Sequence, residues 1–197
     1  MGLYRAGFDV TGIDHRPQPR YPFRFIQADA MRPPVRLDDF DLIWASPPCQ
    51  AFTAYKRRPG HVADRPNLIP RVRSILHSAG VPYVIENVPG APLERPFTLC
   101  GSSFGLDVRR HRIFEASEPM LAPPCSHGWQ TPRFKQATNR ANRRRTVEVG
   151  VWRIPLDVQR RAMGIDWMEL DELSEAIPPA YAEFIARAFL AQRRQAA

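Results

Sequence analysis

A chain of 197 residues with 44% apolar content can bury one core, which argues for a single domain with at most a small appendage. Residues 1–14 lack the basic and apolar regions of a secretory signal, and no run reaches the roughly eighteen apolar residues of a membrane span, so a soluble cytoplasmic protein is expected, and it is taken to be a monomer. The net charge of +8 comes almost wholly from arginine, which fits either a polyanionic partner or a solvated arginine-rich surface.

Short apolar runs at 8–13, 23–27, 41–45 and 81–88, bounded by turn or polar residues, predict buried parallel strands. Between the last two, Leu68, Ile69, Val72, Ile75, Leu76 and Ala79 keep a helical period over 67–79, with Pro70 in the first turn and Gly80 as a stop. Strand, helix, strand is the βαβ unit of an open α/β sheet. Prolines at 89, 92 and 96 end this pattern, and 97–114 predicts a hairpin turning at 101–107. Residues 115–146 are polar and rich in proline, arginine and asparagine, an irregular insert. A helical pattern runs from Leu156 to Gly164, and a last helix over 179–195 carries Tyr181, Phe184, Ile185, Ala188 and Phe189 on one face.

Reactive groups in a parallel sheet gather beyond the carboxyl ends of its strands. One strand runs into Pro47-Pro48-Cys49-Gln50, where the prolines stop the strand and stiffen the loop that holds the thiol; the alternative is an inert buried cysteine. Another ends in Glu86-Asn87, where partial desolvation would raise the carboxyl pKa and suit a general acid; the alternative is a strand-end carboxylate paired with an arginine. Cys49, Cys100 and Cys125 cannot close a disulfide framework. Cys125 and His127, one residue apart, are poorly spaced as two ligands on one ion and have no second pair nearby in the chain, so no metal is expected.

Taken in order, Pro48-Cys49-Gln50, Glu86-Asn87-Val88 and Arg110-His111-Arg112 resemble the Pro-Cys-Gln, Glu-Asn-Val and Arg-x-Arg signatures of DNA cytosine-C5 methyltransferases. Gly12-Ile13-Asp14, Gln27-Ala28-Asp29 and Ala176-Ile177-Pro178-Pro179 extend the similarity to most of the chain outside 115–150. The resemblance implies a Rossmann-like S-adenosylmethionine-dependent methyltransferase fold, a mostly parallel sheet with helices on both faces. Residues 1–114 would form the catalytic α/β core, 115–150 a short target-recognition-like insert, and 151–197 the C-terminal helices that complete the core.

By the same resemblance Cys49 is a nucleophile that adds to C6 of a flipped-out cytosine, Glu86 its acid partner at N3, and Arg110 and Arg112 hold the base. Asp14, Asp29, Ala30 and Pro48 would contact S-adenosylmethionine, with Pro47, Gln50 and Asn87 supporting the site. Double-stranded DNA would be the partner, met by Arg133, Arg140, Arg143, Arg144 and Arg145 of the insert, in a bacterial or phage-infected cell and in a restriction-modification setting. A tRNA-methylating branch shares these motifs, and an inactive nucleic-acid-binding relative would share the charge.

The chain departs from the family at its start. The family's first strand and Phe-x-Gly-x-Gly-Gly turn have no counterpart here; residues 1–8 resemble the helix that follows that turn. Weak binding of S-adenosylmethionine is therefore expected, with an upstream extension restoring it. Val108 stands where the family often has glutamine, and Glu175 where it often has a cofactor-contacting asparagine.

Overall fold

The computed structural model describes residues 1–52, 66–131 and 144–196. Its centre is the predicted βαβ unit. Strand β3 (Ile43–Ala45) and strand β4 (Tyr83–Asn87) pair in parallel, Ile43 against Tyr83 and Ala45 against Ile85. Helix α2 (Ile69–Ala79) lies between them in the chain, with Pro70 in its first turn and Gly80 ending it in the left-handed region at φ 69°.

The expected Rossmann-like, mostly parallel sheet does not form. Strands β1 (Thr11–Asp14) and β2 (Arg24–Gln27) make a separate two-stranded parallel sheet. The larger sheet is mixed, in the order β3-β4-β6-β5, with β5 (Phe97–Leu99) and β6 (Arg112–Ala116) antiparallel to each other and β6 antiparallel to β4. A third pair, β7 (Gln130–Thr131) and β8 (Arg144–Arg145), is parallel and two residues long. The physical reason lies after β4. A parallel return needs a crossover of a dozen or more residues, usually a helix, whereas Pro89, Pro92 and Pro96 carry the chain directly into a hairpin. Phe8, expected in the first strand, instead faces Phe189 with ring centroids 6.3 Å apart, and β1 begins three residues later.

Alternation along the strands sorts the core of the larger sheet into two faces. On one, Tyr83, Ile85 and Ile113 pack with Ile69 and Leu76 of α2. On the other, Val84 and Phe114 pack with Tyr181 and Ile185 of the last helix, α5 (Pro179–Ala196). A further apolar cluster joins Val108 to Ala162 and Met163 of α3 (Leu156–Met163) and to Leu173 of α4 (Leu170–Glu175). Helix α4 has no long apolar period to reveal it; a reciprocal capping box between Glu169 and Glu172 starts it.

Helix α1 (Gly2–Arg5) docks the β1–β2 unit against α5. Buried Gly2 permits the approach, because a Cβ there would run into the Pro179 carbonyl and Ala182. Among the described residues no helix is long and apolar enough to cross a membrane.

Candidate functional site

Strand register explains how the three motifs converge. Glu86 lies opposite Phe114 across the β4–β6 ladder, so Arg112, two residues before Phe114, is its diagonal neighbour on the same face. The Arg112 Nε lies 3.2 Å from Glu86 Oε1, and both side chains are largely buried. The parallel β3–β4 register brings the residues after Ala45 alongside those after Ile85, and Ser46 donates its hydroxyl hydrogen bond to Glu86. Asn87 then ties the two strand ends together, its Nδ2 donating to the Pro47 carbonyl at 2.9 Å. That bond fixes the loop leading to the half-buried Cys49, whose own carbonyl accepts from the Phe52 amide at 2.8 Å.

The electrostatics follow from this packing. Burial pushes the Glu86 carboxyl up, and Arg112, Ser46 and Arg110 only partly oppose it. Burial also pushes the Cys49 thiol up; the Arg112 charge pulls it down, while Glu86 and Glu175 add to the rise. One thiol, one buried carboxyl and one guanidinium thus act directly on one another.

Arg110 does a different job. Its Nε donates to the Ala176 carbonyl at 2.7 Å and its Nη2 to the Ser174 carbonyl at 2.6 Å, clamping the loop before β6 to the last turn of α4 and the residue that follows it. Its backbone sits at φ 35°, a left-handed conformation uncommon outside glycine. Burial, with the Arg112 charge beside it, lowers its pKa to about 10, so it remains a cation at neutral pH. Tyr181 completes the clamp, its buried hydroxyl donating to the Arg110 carbonyl at 3.0 Å.

Asp14 and Asp29 stand apart from this cluster, on the two-stranded sheet. Because β1 and β2 are parallel and Asp14 pairs with Gln27, both carboxylates lie at the same, carboxyl, end of that sheet. Each also closes a local turn: Asp14 accepts from the Arg16 amide at 2.8 Å, and Asp29 from the Met31 amide at 2.9 Å. Ala30, Pro48 and Gln50 are exposed. Two strand-end carboxylates suit hydroxyl and amino donors of an adenosine, but the described residues around them offer no glycine turn whose amides could cradle a methionyl group. The fit to S-adenosylmethionine is therefore confined to its adenosine half.

Of the arginines assigned to DNA, Arg133, Arg140 and Arg143 lie outside the described residues, and Arg144 and Arg145 form the backbone of β8. A second cluster was not legible from chain spacing. Cys125 and His127 do acquire a second pair, since Cys100 and His111 stand opposite each other where the β5–β6 hairpin opens. The signal was the antiparallel register itself, which pairs Leu99 with Arg112 and so places the next residues face to face.

Compared with known proteins, the chain matches no family model and no curated relative.

Proposed function

We propose that the protein is a DNA cytosine-C5 methyltransferase that works through a covalent Cys49 adduct. The observation carrying this reading is the convergence of Cys49, Glu86 and Arg112, from three separate segments, on the buried end of β4. The chemistry needs those three groups together. Cytosine C5 is a poor nucleophile until a thiolate adds at C6. As the Cys49 sulfur bonds to C6, the ring electrons move toward N3, and the Glu86 carboxyl gives N3 its proton. Arg112 faces the same space and offers N–H donors to the base oxygen, while its charge favours the thiolate. S-adenosylmethionine supplies an electrophilic methyl carbon when bound. C5, made electron-rich by the adduct, would take that methyl group as the donor's sulfur–methyl bond breaks and leaves a neutral thioether. Loss of the C5 proton to a base then forms the C5–C6 double bond as the C6–sulfur bond breaks and the Cys49 thiolate leaves, and N3 returns its proton to Glu86. Asn87 and Pro47 hold the two strand ends in register, and Arg110 positions the Arg112 segment while its charge acts on Glu86. Because C6 is covered inside a duplex, the target base has to leave the stack.

Duplex DNA carrying 5-azacytosine tests the thiol half alone, because that ring accepts a thiolate at C6 without a methyl donor. A covalent complex mapping to Cys49 is expected, together with its loss in Cys49→Ala at nearly unchanged DNA affinity. An adduct on Cys100 or Cys125, or one that survives the substitution, overturns the assignment.

The separation of the β1–β2 sheet from the sheet carrying Cys49 favours a second reading, a relative that binds nucleic acid without turnover. Tight DNA binding with neither adduct nor incorporation of labelled methyl would select it, and running tRNA beside duplex DNA separates the two nucleic-acid substrates.

A further inference from the structure

We propose that Cys100, His111, Cys125 and His127 form a structural zinc site that locks the Arg110-His111-Arg112 segment to the first loop of the 115–150 insert. One donor atom from each of the four residues lies within 4.8 Å of every other. The Cys100 Sγ is 3.2 Å from His127 Nε2, and the Cys125 Sγ is 3.4 Å from His111 Nε2. Tetrahedral zinc, with bonds of about 2.3 Å to sulfur and about 2.0 Å to nitrogen, separates adjacent sulfur and nitrogen ligands by roughly 3.5 Å. The four donors therefore already stand near the edges of a zinc tetrahedron, and two thiols with two imidazoles are a donor set that selects zinc over calcium or magnesium.

The fold delivers the ligands in two pairs. Cys100 and His111 follow and precede the last β5–β6 partners, Leu99 and Arg112, so the antiparallel register holds them across from each other. Cys125 and His127 come from the loop after β6. Supporting bonds fix that loop independently of any ion: the Ser126 amide donates to Ser102 Oγ at 3.0 Å, and Ser103 Oγ donates to the Pro124 carbonyl at 2.8 Å. Ser102 Oγ also lies 3.1 Å from Cys100 Sγ, the kind of outer contact that orients a ligating sulfur. Four protein ligands leave no open position, so the ion is structural and not a Lewis acid for the reaction. Its place follows from His111: bound there, zinc would pin the residue between Arg110, held at φ 35°, and Arg112, which faces Glu86. The inference stands whether or not Cys49 attacks cytosine.

The test uses the full chain purified under reducing conditions with zinc present. One zinc per chain by elemental analysis is expected, with all three thiols titrating after denaturation. Cobalt in place of zinc should give the visible bands of a tetrahedral ion and a near-ultraviolet thiolate-to-cobalt band. Cys125→Ser and His127→Asn should each reduce zinc occupancy and weaken or shift the cobalt spectrum, while Cys49→Ala leaves both unchanged. Because either ligand variant could fail to fold, the unaltered chain decides on its own: no zinc, a cobalt spectrum without the thiolate band, or a disulfide between Cys100 and Cys125 overturns the proposal. Full zinc retention in Cys125→Ser does so as well.

Discussion

Arg112 and Glu86 pull on the Cys49 thiol in opposite directions, and this opposition can be read without any substrate. Replacing Glu86 by Gln removes a nearby negative charge, so the thiolate becomes easier to form and the pH midpoint of Cys49 alkylation should move down. Replacing Arg112 by Met removes the opposing positive charge, and the midpoint should move up. Following iodoacetamide labelling of Cys49 against pH measures both, and coincident midpoints in all three proteins would mean that these groups do not share a site. Turnover has a second dependence, because Glu86 acts as an acid. Activity that relies on its proton falls as pH rises through its raised pKa, and Glu86→Gln should cost at least roughly 100-fold in turnover. Cys49 and Glu86 stood out because one follows and the other ends a short apolar run, a local signal, whereas Arg110 and Arg112 came only with the resemblance. The separate roles of the two arginines were not legible, since nothing in Arg110-His111-Arg112 says which guanidinium turns toward α4 and which toward β4. That choice is made by the left-handed backbone at Arg110 and by carbonyls more than sixty residues away in the chain.

At the scale of elements, one ion pair ties the crossover helix α2 to β6 and to the proline-bearing link after β4. Arg73 on α2 makes two hydrogen bonds to Glu115 on β6, at 2.8 and 2.6 Å, and its side chain also reaches the Pro92 carbonyl at 3.2 Å. Glu115 in turn accepts from the Glu94 amide at 2.7 Å, so the proline-bearing link between β4 and β5 is stitched to both neighbours. The Glu115 side chain is only 3% exposed, so Arg73→Ala leaves a buried carboxylate without its main partner and should cost roughly 3 kcal/mol in urea unfolding. A cost below about 1 kcal/mol would place the pair among surface contacts. Burial alone would raise the Glu115 pKa, but the hydrogen bonds from Arg73 and the Glu94 amide win and lower it. A carboxyl held below its unfolded value contributes stability above that value and loses it as pH falls through the depressed one. The acid limb of stability should therefore shrink in Arg73→Ala. Helix α2, α3 and α5 were readable from apolar spacing and their stops; the antiparallel placement of β6 beside β4 was not, because strand order depends on partners distant in sequence.

For the molecule as a whole, the question is how two separate sheets keep a fixed relation, given that Asp14 and Asp29 sit at the end of one and the Cys49 thiol beside the other. The sequence pattern places β1 to β6 to within a few residues and misses β7 and β8, and it carries no information about which strands share hydrogen bonds. Here α1 makes the joint with α5, supported by Tyr4 against Phe23 at 5.1 Å between ring centroids and by an Arg20–Glu172 pair at 2.8 Å. The exposed ion pair is worth little, so the apolar contact of α1 on α5 carries most of the joint. Gly2→Val attacks it directly: the new side chain would meet the Pro179 carbonyl and Ala182, and α1 would have to back away from the helix. Overpacking of this kind typically costs about 1–3 kcal/mol, and a lower melting temperature is expected. The more informative readout is differential. Cys49, Glu86 and Arg112 sit on the other sheet, so the alkylation midpoint of Cys49 should be unchanged, while protease cleavage in the link between β2 and β3 should become faster as the β1–β2 unit loosens. If instead the thiol midpoint moves with the melting temperature, the two sheets form one cooperative body whose site depends on the α1 joint.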